Sequence, residues 1–144
     1  MHTQTRTHIR WMIQRDMPDI LSTESYLAEP WSENAILGRL RHRHCIGLVV
    51  EAGDRVVGHA IYELHKRKLV LTRMAVHPIH RRCGVGRALM TKLLNKLGTH
   101  RRPFLVVKVD ERDLLTTCQF LKQFNPARVG LADGRVRFVF RADV

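Results

Sequence analysis

Val76-His77-Pro78-Ile79-His80-Arg81-Arg82-Cys83-Gly84-Val85-Gly86-Arg87-Ala88-Leu89 is the stretch on which the reading of this chain turns. Before it runs an apolar, strand-like segment, Lys68–Val76. After it runs an amphipathic helical segment, Gly84–Thr99, with Leu89, Leu93 and Leu97 at i, i+4 and i+8 and Met90 and Leu94 beside them. Two glycines and several unpaired amides therefore gather at a helix N-terminus, with arginines around them. That arrangement binds phosphate oxygens. It is not a P-loop, because no Gly-x-x-x-x-Gly-Lys-Ser/Thr string occurs, and not a dinucleotide fingerprint, because Leu89 stands at the third glycine position. The ligand class it names is a nucleotide-like pyrophosphate.

The flanks extend the pattern in both directions. Upstream, His8–Gln14 reads as a strand and Arg15-Asp16-Met17-Pro18 opens a helix, with Asp16 as N-cap, Pro18 in its first turn, and Ile20, Leu21 and Leu27 on its apolar face. Ser32 caps a second helix from about Glu33 to Arg43, with Ile36, Leu37 and Leu40 facing inward. Cys45–Ala52 and Arg55–His65 form a hairpin about Gly53-Asp54, and Lys68–Val76 follows as a further strand. Downstream, Phe104–Val109 is a strand, Asp113–Phe124 a helix, and Ala132-Asp133-Gly134 a turn between two short strands. The order β-α-α-β-β-β-α-β-α-β-β predicts a mixed, mostly antiparallel sheet flanked by helices, an α/β fold in one domain over residues 1–144. Ligands in such sheets bind beyond the carboxyl ends of strands beside a helix N-terminus, where the glycine run falls.

Composition sets outer bounds. A chain of 144 residues, 44% hydrophobic, suits one core. No apolar run approaches the roughly 20 residues of a membrane span, and the polar start Met1–His8 lacks a signal-peptide core. The expectation is a cytoplasmic protein without a membrane partner. Cys45, Cys83 and Cys118 have no CxxC spacing, so neither a disulfide framework nor a metal site is expected. The net charge of +12, from 25 Lys+Arg against 13 Asp+Glu, suits an anionic partner: nucleic acid, the ribosome, an acidic protein or a polyphosphate cofactor.

The wider string is more specific than its glycines. Arg81-x-x-Gly84-x-Gly86, preceded by Val76-His77-Pro78 and followed by Arg87-Ala88-Leu89, resembles motif A of the GNAT superfamily, the GCN5-related N-acetyltransferases. The expected element order matches that family across nearly the whole chain. Pro30-Trp31-Ser32-Glu33 resembles a segment of its ribosomal-protein N-terminal alanine acetyltransferases. The resemblance implies the acyl-CoA N-acyltransferase fold and acetyl-CoA as co-substrate. It implies direct transfer of acetyl to a primary amine in a ternary complex. Arg81, Arg82, Cys83, Gly84, Val85, Gly86 and Arg87 would cradle the pyrophosphate, and Met74, Ala75 and Val76 would pair with the pantetheine arm. The Val76 amide would polarise the thioester carbonyl, and Asp113 and Phe120 take the positions of a family asparagine and tyrosine beside the coenzyme.

Two positions depart from that pattern. Phe120 has no hydroxyl to protonate a leaving thiolate, and the Gly-Phe pair expected further on is Phe124-Asn125. The glutamate of the ribosomal-type enzymes is matched by Lys108; Asp110, on the same face by alternation, would offset its charge. The remaining candidates for moving a proton are Glu63, His65 and Asp110, with Tyr26, Glu29 and Trp31 where the acceptor loop would sit. Deprotonation at pH 7 costs about 4–5 kcal/mol for a lysine side chain and about 1 kcal/mol for an α-amine. A site with no strong base therefore favours a protein N-terminal α-amine or a weakly basic small amine. The alternative is a catalytically weak acyl-CoA-binding sensor, or a protein that docks on the ribosome or nucleic acid, with the same fold.

Overall fold

The computed structural model describes residues 6–81, 83–110 and 114–142, excepting the side chains of 114–116. Among the described residues, seven strands and four α-helices follow in the expected order. They are β1 (Thr7–Trp11), α1 (Met17–Glu24), α2 (Glu33–Leu40), β2 (Cys45–Ala52), β3 (Arg55–Leu64), β4 (Lys68–Val76), α3 (Val85–His100), β5 (Phe104–Asp110), α4 (Leu114–Lys122), β6 (Arg128–Ala132) and β7 (Arg135–Arg141). The strands form a seven-stranded sheet in the order β1-β2-β3-β4-β5-β7-β6, mostly antiparallel, with β4 and β5 parallel. Contacts group the chain into two compact units, Met1–Tyr62 with Arg73–Thr91 and Glu63–Thr72 with Lys92–Val144. Strands β3 and β4 and helix α3 contribute residues to each.

In the first unit, period-two alternation along β3 puts different chemistry on its two faces. Ile61 faces a cluster with Met17 and Ile20 of α1, Ile36 of α2 and Val49 of β2. Burying each such aliphatic side chain contributes roughly 1.5–3 kcal/mol. The Ser32 hydroxyl accepts the Ala35 amide at 3.1 Å, so α2 starts with the expected cap. Gly58 lies on the opposite face. A Cβ there would fall 2.9 Å from Val85 Cγ1 and 3.2 Å from the Ala75 carbonyl oxygen. Glycine at 58 thus lets the first turn of α3 settle directly against the sheet near the end of β4.

In the second unit, β4 runs beside β5 from the pair Lys68↔Phe104 to Leu71↔Val107. Beyond these pairs β4 continues to Val76 and β5 to Asp110. Leu105, Val107 and Val109 of β5 are buried, as are Phe138 and Phe140 of β7, Leu121 of α4, and Leu93 and Leu97 of α3. Helix α3 ends where Arg101 turns to φ 55°. The Arg102 amide then donates to the Leu97 carbonyl and the Arg101 amide to that of Gly98, closing the helix end.

Several expected boundaries move. The first strand stops at Trp11, and Gln14–Asp16 make a 3-10 turn before α1. Asp16 is not a side-chain cap for α1. Its carboxylate pairs with Arg10 at 2.7 Å and accepts the Ile13 amide at 2.8 Å, so stronger partners take it. Burial pushes this carboxyl up, but the Arg10 and Ile13 hydrogen bonds outweigh burial and the pKa is lowered. Leu27 falls outside α1, which ends at Glu24. Helix α2 ends at Leu40, because the basic run 41–44 is exposed and offers no apolar face to hold a further turn.

Candidate active site

The glycine run forms a turn and a helix start. Pro78–His80 make one 3-10 turn, Arg81 and Cys83 are exposed, and Gly84 takes φ 84°, a left-handed conformation that glycine adopts without a Cβ penalty. The Gly84 carbonyl accepts the Ala88 amide at 2.9 Å, so α3 begins there. The Val85 side chain is buried against the position of Gly58, which leaves its backbone as the part able to meet a ligand. Gly86 is half-buried and Arg87 exposed. The sixteen-residue helix behind this turn directs its positive end here. The group suits a pyrophosphate: a helix N-terminus, a left-handed glycine turn and exposed arginines. Arg82 and Asp113, both expected in the site, lie outside the described residues.

Beside the turn, Met74 and Val76 are half-buried and Ala75 is buried in β4. The next amide along, His77, donates to the Val57 carbonyl at 2.8 Å. That engagement removes it as a donor to a ligand and leaves Val76 as the candidate amide. The His77 ring accepts the Ile79 amide at Nδ1 (3.3 Å) and meets the Tyr26 ring edge-on at 5.1 Å. With Nδ1 accepting, the neutral imidazole carries its proton on Nε2 and has no second lone pair to serve as a base.

A buried polar network fixes the loop between α1 and α2. Glu24 and His59 are 1% and 0% exposed. The Glu24 carboxylate accepts the Trp31 amide at 2.8 Å, meets His59 Nε2 at 2.7 Å and forms a two-pronged ion pair with the Arg73 guanidinium. Arg73 also donates to the Glu29 carbonyl at 2.9 Å. The Trp31 ring lies against the guanidinium groups of Arg39 and Arg73, at 4.3 and 4.8 Å from its centroid. Burial pushes the Glu24 carboxyl up, but hydrogen bonds from His59, Arg73 and the Trp31 amide outweigh it and hold the pKa at about 2. So weak a base takes no proton from an ammonium ion; its work is to hold Glu29 and Trp31 in place. Tyr26, in the same loop, is 58% exposed.

Of the other expected proton-moving groups, Glu63 and His65 contact each other at 2.9 Å, and the His65 amide donates to the carbonyl of Lys68, the first residue of β4. Asp110 ends β5 opposite Arg135, and Lys108 lies opposite Arg137. Phe120 of α4 meets Phe124, just beyond the helix end, edge-on at 5.2 Å. Glu24, His59 and Arg73 were not singled out from sequence. A signal existed: His59 interrupts the apolar run Val56–Tyr62, and a polar residue on a core face needs a partner.

The profile of the acetyltransferase (GNAT) family matches residues 7–123. The chain belongs to the GNAT acetyltransferase family. Over 72 residues it is 35% identical to the [ribosomal protein bS18]-alanine N-acetyltransferase of Salmonella typhimurium; the match covers 50% of this chain and 48% of that relative, about half the length of each. The crystal structure of the ribosomal-protein-S18-alanine N-acetyltransferase from Escherichia coli aligns with TM-score 0.79 at 20% identity, over 96% of both chains. The structure of yncA from Salmonella typhimurium with its cofactor acetyl-CoA aligns with TM-score 0.72 at 16% identity, over 95% of this chain and 94% of that one. At these identities the structural likeness carries the GNAT fold. No helix among the described residues is long and apolar enough to cross a membrane.

Proposed function

We propose that this GNAT chain is an acetyl-CoA-dependent N-acetyltransferase that transfers acetyl directly to a primary amine, in one acetyltransferase domain over residues 1–144. The observation that carries the reading is the Gly84 turn at the start of α3, seated beside the end of β4 because Gly58 leaves room for it. In this reading the backbone from Arg82 to Arg87 holds the pyrophosphate, aided by the arginine side chains. Met74, Ala75 and Val76 hold the pantetheine arm, and the Val76 amide donates to the thioester oxygen, where charge develops during attack. Holding amine and thioester together supplies much of the acceleration.

A protein N-terminal α-amine or a weakly basic small amine is the preferred acceptor. Glu24 is too acidic, His77 has its lone pair engaged and Phe120 lacks a hydroxyl, so the favoured amine is one that loses its proton with little help. The likeness to enzymes acting on a ribosomal-protein alanine N-terminus points the same way. The test couples two measurements. Acetyl-CoA should raise the unfolding temperature, and free thiol should be released faster with peptides bearing free N-termini than with N-blocked peptides bearing lysines. Preference for internal lysines would refute the acceptor assignment. Stabilisation without thiol release across the panel would favour the acyl-CoA sensor, the reading that Phe120 motivates.

A further inference from the structure

We infer that the sheet face formed by β4, β5, β7 and β6 is a docking surface for single-stranded RNA. Strand pairing assembles that face in rows. Lys68, Phe104 and Arg141 lie opposite one another across β4, β5 and β7. Val106, Val139 and Arg128 form the next row, and Lys108 with Arg137 the one after. Residues directly opposite share a face, so cations and an apolar floor interleave on it, while the buried Leu105, Val107, Phe138 and Phe140 occupy the other side. A groove of about 480 Å³ runs over this floor. Among the described residues none of Lys68, Lys108, Arg128, Arg137 and Arg141 is in an ion pair.

Lys108 directly opposite Arg137 is a like-charge cross-strand pair, which weakens a sheet. A polyanion seated on the face turns that cost into attraction. The geometry selects the kind of polyanion. Four strands at about 4.8 Å spacing make a face broader than the roughly 12 Å major groove that a helix or two-stranded ribbon enters. A duplex is therefore a poor fit. A single strand can lay its phosphates along the cations and its bases on the half-buried Phe104 and Val139, with Val106 buried beneath them, and unpaired, splayed bases are the ordinary targets of RNA recognition. A second copy of this chain would bring a second set of the same charges.

The test measures anisotropy of a labelled 12-nucleotide oligouridine. With three to four phosphate contacts at a slope of about −0.7 each, affinity should fall about 20- to 50-fold between 50 and 200 mM salt. The double variant Arg137→Ala/Arg141→Ala should weaken binding and cut that salt-dependent loss by about 3- to 7-fold. Arg41→Ala/Arg43→Ala, equally basic and exposed at the end of α2, should leave both unchanged. An unchanged acetyl-CoA thermal shift in each variant shows that the fold and the coenzyme site are intact. Absence of RNA binding would overturn the inference, as would equal losses in both double variants. So would tighter binding of an oligoglutamate peptide or of a 12-nucleotide oligothymidine, or dimers that the groove variants dissolve.

Discussion

Glu24 is the residue whose environment decides most about the acceptor side. Its carboxyl sits at about 2, against an ordinary value of 4.5. The folded state therefore binds fewer protons than the unfolded chain between those values. The stabilisation is fully present above about pH 4.5 and is lost as pH falls towards 2, an effect on the order of 3 kcal/mol. Urea unfolding of the wild-type chain should show this loss between pH 5 and 2.5, and Glu24→Gln should flatten it. At pH 7 the same substitution leaves Arg73 without its counter-charge and should cost about 3 kcal/mol. Equal stability of the two proteins at pH 7 would mean the network carries no net energy. In assays it should raise KM for the acceptor more than for acetyl-CoA, because Glu24 holds Glu29 and Trp31 rather than the coenzyme turn.

At the scale of elements, the meeting of β3 with α3 positions the coenzyme turn. Gly58→Val would drive its side chain into Val85 and the Ala75 carbonyl, pushing the first turn of α3 away from the sheet. We expect at least tenfold weaker acetyl-CoA binding by titration calorimetry. Gly98→Ala in the same helix meets nothing within 4 Å and should add up to about 1 kcal/mol of stability with coenzyme affinity unchanged. An unaltered affinity in Gly58→Val would detach the turn from this packing. The elements themselves were legible because each carries its own period: leucines of α3 every fourth residue, apolar runs in β2 to β4. Their ends were less legible. Asp16 has the chemistry of a cap, yet Arg10, six residues earlier, claims its carboxylate, and no local pattern announces that pairing.

At the scale of the whole molecule, the net charge of +12 should draw an anionic thioester inwards. Raising salt from about 0.02 to 0.2 M shortens the screening length about threefold, and stopped-flow association of acetyl-CoA should slow several-fold. Turnover of the uncharged N-acetylcysteamine thioester should stay level; equal slowing of both would count against steering. Charge was readable from composition, but its placement was not. The sequence has no stretch where basic and aromatic residues alternate in the manner of a single-strand binder, because the basic face is contributed by four strands and exists only after they pair. The same holds for the loop brace, whose three polar members, Glu24, His59 and Arg73, are far apart in the chain and meet only in the fold.

Trp31 carries one more consequence of that brace. The chain has two tryptophans, and Trp11 is 69% exposed on β1. Trp31 instead lies against two guanidinium groups, with its amide tied to Glu24. A Trp11→Phe chain would thus hold a single tryptophan, in the loop that should greet the acceptor. Its emission would report, without any added label, each time that loop lets go or takes hold.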